Sequence, residues 1–168
     1  MDYYKPFAKA VDYVLEMNFS SKPQWGKPAA HGAYPLPVPH DVVVRVGIIG
    51  AIEGVMAIGL HQKTAVSIAT TYGGARNISH VNKEVESLLR EFINMASGNA
   101  IARLAAQGDI CDITTPEVIT GNTLAIHCTP AVRTAALPFI LNKQELLLLL
   151  TLRRTASNES EPMAWRVF

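Results

Sequence analysis

The chain has 168 residues, of which 49% are hydrophobic and 17% charged. That is the length of one domain with enough apolar material for a core, which excludes a disordered chain. A formal net charge of +1, from 15 Lys and Arg against 14 Asp and Glu, offers no basic surface for nucleic acid.

In chain order, residues 3–19 place Phe7, Ala10, Val11, Val14 and Leu15 at helical spacing, and Pro6 suits the first turn of that helix. Residues 20–39 are rich in Pro, Gly and Lys, and the alternating Pro35, Pro37 and Pro39 predict extended backbone lacking donors on one side. Residues 42–49 are β-branched and strand-like, Gly50-Ala51-Ile52-Glu53-Gly54 is the expected turn, and residues 55–60 return as the second strand of a hairpin. Residues 62–72 read as a short helix stopped by Gly73-Gly74. A long helix follows from about 83 to 107, capped by Ser79 or Asn82 and ended by Gly108.

Residues 110–113 form a short predicted strand, Pro116 breaks the chain, and residues 117–121 are read as a connection. Residues 124–128, 133–141 and 145–152 are three more expected strands, with Asn142-Lys143 turning between the last two. The leucine run at 146–150 falls far short of the roughly 20 residues of a membrane span and suits a strand buried on both faces. The N-terminus lacks the apolar stretch of a secretory signal. Cys111 and Cys128 have neither metal nor redox spacing, and read as buried thiols in a reducing cytoplasm rather than as a disulfide. Tight turns between adjacent strands predict an α+β fold, a mostly antiparallel sheet packed with helices, as a single domain over 1–154. A polar tail over 155–168 ends in Met163-Ala164-Trp165-Arg166-Val167-Phe168, which could dock on this chain or on a second copy.

Within the long helix, Val85, Leu89, Phe92, Ile93, Ala96, Ala100 and Leu104 make the expected buried stripe. Glu91 and Asn94 lie three apart, about 60° from each other at about 100° per residue, and point away from that stripe. Ser87, one turn earlier, and Gly98, one turn later, fall on the same side. Small neighbours let another protein's backbone come close. On their own, a Glu and an Asn on a helix surface are most often merely solvated. Gly98 costs about 1 kcal/mol against Ala in mid-helix, which fits close approach by a partner or by a neighbouring strand. Pro116 by itself is a turn residue. His31, His40, His61, His80 and His127 are scattered without metal-ligand spacing, so no metal is expected. No Gly-Lys-Ser/Thr phosphate loop and no Gly-x-Ser-x-Gly elbow is present.

Taken together these segments resemble the CheC/CheX/FliY superfamily of chemotaxis phosphatases, and its CheX-like members in particular. Ser87, Glu91, Asn94 and Pro116 are similar to the superfamily pattern of Asp or Ser-x-x-x-Glu-x-x-Asn with a later Pro. Pro39-His40, the β-branched run with Gly50-Ala51-Ile52-Glu53-Gly54, and Asp112-Ile113-Thr114-Thr115-Pro116-Glu117-Val118 resemble its first hairpin and its post-helix turn. The likeness covers about 3–154, leaving the loop at 20–34 and the tail outside it.

The resemblance implies a CheC/CheX-like fold and hydrolysis of the aspartyl phosphate on a CheY-like response regulator. Asn94 would orient the attacking water and Glu91 would pair with the regulator's lysine, with Ser87, Gly98 and Pro116 in support. The protein would need no cofactor of its own, because the regulator carries the Mg²⁺. It further implies one active helix per chain and a homodimer formed by sheet pairing. Two other readings use the same residues. One is a non-catalytic module that binds receiver domains. The other is a structural dimer that blocks the Glu91/Asn94 face.

Overall fold

A computed structural model describes residues 4–31, 36–74, 77–127 and 134–155. Cys128, Pro35 and the tail segment ending in Phe168 lie outside the described residues.

Helices α1 (Lys5–Phe19), α2 (Gln62–Gly73) and α3 (Lys83–Ala105) pack on one face of an antiparallel sheet. The strands in chain order are β1 (Gln24–Trp25), β2 (Ala29–His31), β3 (Leu36–Val38), β4 (Val42–Gly50), β5 (Ile52–Leu60), β6 (Cys111–Ile113), β7 (Glu117–Thr120), β8 (Leu124–Ile126), β9 (Thr134–Leu141) and β10 (Gln144–Arg154). Across the main sheet β9, β10, β5 and β4 lie side by side. The pair β1 and β2 borders β9, and the pair β6 and β7 borders β4. Strands β3 and β8 pair with each other as a separate small sheet. This is the α+β, mostly antiparallel architecture that the hydrophobic pattern predicts.

Strand β10 lies between β5 and β9 and shows why its leucines run without a break. Leu146, Leu148, Leu150 and Leu152 enter the helix-side core with Phe7, Leu15, Leu89 and Phe92. Leu149 faces the other way, into a second cluster with Val43, Ala57 and Ala136 that is closed by Val38 and Ile126 of the small β3–β8 sheet. Burial on both faces removes the alternation that a half-exposed strand would show.

Three elements differ from the sequence reading. The segment from 117 is strand β7, with Val118 opposite Val44 and packed on the helix-side core, while Arg45 and Glu117 form an ion pair at 2.7 Å. The Pro- and Gly-rich stretch after α1 contributes β1 and β2, which line the β9 edge. Trp25 anchors it: its Nε1 donates to Asp12 Oδ1 at 2.7 Å and its ring lies 4.7 Å from Phe139. The hairpin turn is also tighter than expected, since β4 runs to Gly50 and β5 resumes at Ile52. Gly54 is a strand residue at φ +150, and a Cβ there would collide with the Thr151 carbonyl oxygen of β10.

Asn82, one of the two expected caps, closes the start of α3 by accepting a hydrogen bond from Val85 N at 2.9 Å. The helix ends at Ala105 and turns through Gly108 at φ +94. Asp109, only 6% exposed, then pairs with Arg154 and ties this turn to the end of β10.

His40 stands at the junction of the two sheets. Its Nδ1 would lie 3.0 Å from a Cβ placed at Gly59, its ring is 4.8 Å from that of His61, and among the described residues Nδ1 has no hydrogen-bond partner. Burial, and after it the neighbouring His61, holds the His40 pKa below the usual 6.5, with Asp41 and Glu145 opposing.

Gly54→Ala is expected to destabilise the fold by about 3 kcal/mol or more, because both its φ and its space exclude a side chain. Urea denaturation reads this as a fall in midpoint. For His40, the unfolded chain takes up a proton near pH 6.5 and the folded chain takes it up only lower, so the unfolded state binds more protons in that window. Stability should therefore fall as pH drops below about 6.5. Denaturation at pH 7.5 and pH 5.5 should show a smaller drop in His40→Phe than in wild type.

Candidate functional site

Helix α3 turns its apolar stripe fully inward: Val85, Leu89, Phe92, Ile93, Ala96, Ala100 and Leu104 are all buried. Burial of that stripe against α1, α2 and the sheet fixes the helix's rotation about its own axis. Ser87, Glu91 and Asn94 are consequently exposed, and Gly98 is half-buried on the same side. Among the described residues, neither the Glu91 carboxylate nor the Asn94 carboxamide is engaged in a hydrogen bond or an ion pair. Arg90, the adjacent cation, is instead occupied by Glu86 one turn earlier at 3.1 Å.

Two features behind this face were not read from the sequence. Ser97 is fully buried, and its hydroxyl is directed at the carbonyls of Ile93 at 2.7 Å and Asn94 at 3.2 Å. The bond stays within α3 and satisfies a hydroxyl that would otherwise be unpaired in the core. Tyr72, from the last turn of α2, sets its hydroxyl against Met95 Sδ. Burial, and after it the Glu91 charge, pushes the Tyr72 phenol pKa up. Gly73 permits this approach, since a Cβ there would overlap the methyls of Leu88 on α3. The only sequence signal for Tyr72 is its place directly before the Gly-Gly helix stop.

Among the described residues, Gly98 has nothing within 4 Å of where its Cβ would stand. A neighbouring strand is therefore not the reason for this glycine. Pro116 is half-buried in the link between β6 and β7, two strands that border α3. Thr114 secures the link, giving its N–H to the Gly47 carbonyl at 2.9 Å and accepting from Gly47 N through Oγ1 at 2.8 Å.

Among the described residues no group of three or more His, Cys, Asp and Glu gathers to hold a metal. No helix among them is long and apolar enough to cross a membrane.

An antiparallel sheet backed by three helices is a fold that comparison finds among known proteins. Residues 42–140 match the family described as chemotaxis phosphatase CheX. The chain belongs to that family. The CheY-P phosphatase CheX of Thermotoga maritima is 30% identical over 105 residues, covering 62% of this chain and 66% of that protein, just under two thirds of its length. Among solved structures, a chemotaxis protein CheX from Desulfovibrio desulfuricans is 26% identical with a TM-score of 0.80, over 91% of this chain and 100% of that one. The CheX–CheY–BeF3–Mg²⁺ complex from Borrelia burgdorferi contains a chain 25% identical with a TM-score of 0.73, over 92% of this chain and 99% of that one.

With open space at its Cβ position, Gly98→Ala should stabilise the isolated protein by about 0.5–1 kcal/mol through helix propensity alone. Thermal or urea unfolding of the two proteins measures it; a loss of stability would mean that the helix is tightly packed at this position.

Proposed function

We propose that this protein hydrolyses the aspartyl phosphate of a CheY-like response regulator, with Asn94 orienting the attacking water. The observation that carries this reading is the Glu91/Asn94 pair, exposed and unengaged on a helix whose opposite face is locked into the core. Family membership supports it, as do the relative named CheY-P phosphatase and the structural neighbour complexed with CheY and Mg²⁺.

The chemistry asks little of the second protein. An aspartyl phosphate is an activated mixed anhydride, and phosphoryl transfer calls for positioning and electrostatics more than for covalent help. A carboxamide donates through its NH₂ and accepts through its oxygen, so it can hold a water in line with phosphorus although it is no base at neutral pH. Glu91 pairs with the regulator's lysine and sets register, a task in which a partly desolvated ion pair adds specificity more than affinity. The Mg²⁺ belongs to the regulator's pocket. Ser87 leaves room beside Glu91, Gly98 admits the regulator's backbone, and Pro116 shapes the neighbouring link. The reading also includes a cytoplasmic setting and a second copy of the chain paired through a sheet edge. In support of that pairing, β6 and β7 each pair with β4 alone among the described residues, and Ile110 and Ile119 beside them are exposed.

Phosphate release from a charged receiver domain in Mg²⁺ tests the proposal. Asn94→Ala should lower the rate about 100-fold, equivalent to about 2.7 kcal/mol, while affinity for the beryllofluoride-charged receiver is kept. Wild-type protein that binds the charged receiver without accelerating phosphate release would instead be a non-catalytic receiver-binding module.

A further inference from the structure

We propose that Tyr72 is a positioning residue that holds the Glu91–Met95 edge of the partner-facing helix in one arrangement before a regulator docks. This rests on the reading of the site given above and adds a residue to it. Met95 lies one turn beyond Glu91 on the same side of α3 and is 38% exposed, so a docking surface that includes Glu91 meets Met95 as well. Methionine is unbranched with three rotatable bonds, and left alone it would sample many rotamers that docking must then freeze. The Tyr72 hydroxyl, seated against Sδ, takes that freedom away in advance.

The arrangement has the marks of a built contact. A thioether is a weak acceptor, and a phenol free in solution would bond to water instead. The end of α2 lies close on α3 here: a Cβ at Gly73 would meet the methyls of Leu88, which would have to turn aside. The phenol also lies near enough to Glu91 to feel its charge, so ring and carboxylate share one local environment. The surface presented to a partner then has Asn94 and Gly98 along its centre and a fixed Tyr72–Met95 wall beside Glu91. Tyr72 has no place on the water or on phosphorus, so its effect falls on docking and not on the chemical step.

The test uses wild type, Tyr72→Phe, Met95→Leu and the double variant. In the free protein, methyl NMR of Met95 should show a shifted and more mobile methyl in Tyr72→Phe. In turnover of a phosphorylated receiver, Tyr72→Phe should raise KM about three- to tenfold with kcat kept, the reverse of the split for Asn94→Ala. In the Met95→Leu background the Tyr72→Phe change should add nothing, since the coupling runs through sulfur. An unchanged Met95 methyl, an unchanged KM, or additive effects of the two changes overturn the proposal. A wild type that turns over no receiver overturns the phosphatase reading instead; affinities of the four proteins for a beryllofluoride-charged receiver then decide Tyr72 alone, by the same pattern.

Discussion

The rotation of α3 about its own axis is the constraint on which the rest depends. Seven apolar side chains along one stripe are buried together, and turning the helix by even one position would pull several of them into water. Because residues follow at about 100° intervals, that single burial dictates the direction of every other side chain on the helix. Glu91 and Asn94 therefore face outward with no contact of their own holding them there. Their placement is a by-product of hydrophobic packing, which is far stronger than any interaction the two polar groups could make in solvent.

Around this helix the protein spends its other contacts on rigidity. The C-terminal end is tied to β10 by the pairing of buried Asp109 with Arg154. The N-terminal end is capped by Asn82. Tyr72 reaches in from α2 to the neighbouring Met95. The exposed pair itself is left without partners among the described residues. A polar group that must act on another protein's chemistry is best presented this way, with its backbone fixed and its side chain unengaged, since docking then has fewer bonds to break and little to order.

The sheet shows how much of the architecture can be read from pattern. β-branched stretches, the leucine run of β10 and the apolar stripe of α3 all announce themselves, because burial imposes a period of two, no period at all, or 3.6. Strands β1, β2 and β7 do not. They are short, and β1 and β2 lie among Pro and Gly that ordinarily mark loops. Each becomes a strand only because a longer neighbour, β9 or β4, offers an edge of unpaired backbone. Gly54 misleads in the same way: it looks like a turn residue, yet it lies within β5 where the β10 backbone presses against it.

Sequence by itself determined the fold class, the inward stripe of α3 and the outward face bearing Ser87, Glu91, Asn94 and Gly98. All of these follow from local periodicity, a property of residues near one another in the chain. Only the tertiary structure decided that no described residue fills the space at Gly98, that Pro116 lies in a link between two strands bordering α3, that the Ser97 hydroxyl is buried, and that Tyr72 stands against Met95. Those relations join residues on different elements or on a face that pattern marks only as buried. They depend on how closely α2, α3 and the strands approach, which is set by side-chain volumes meeting across the core and is written in no single stretch of the chain.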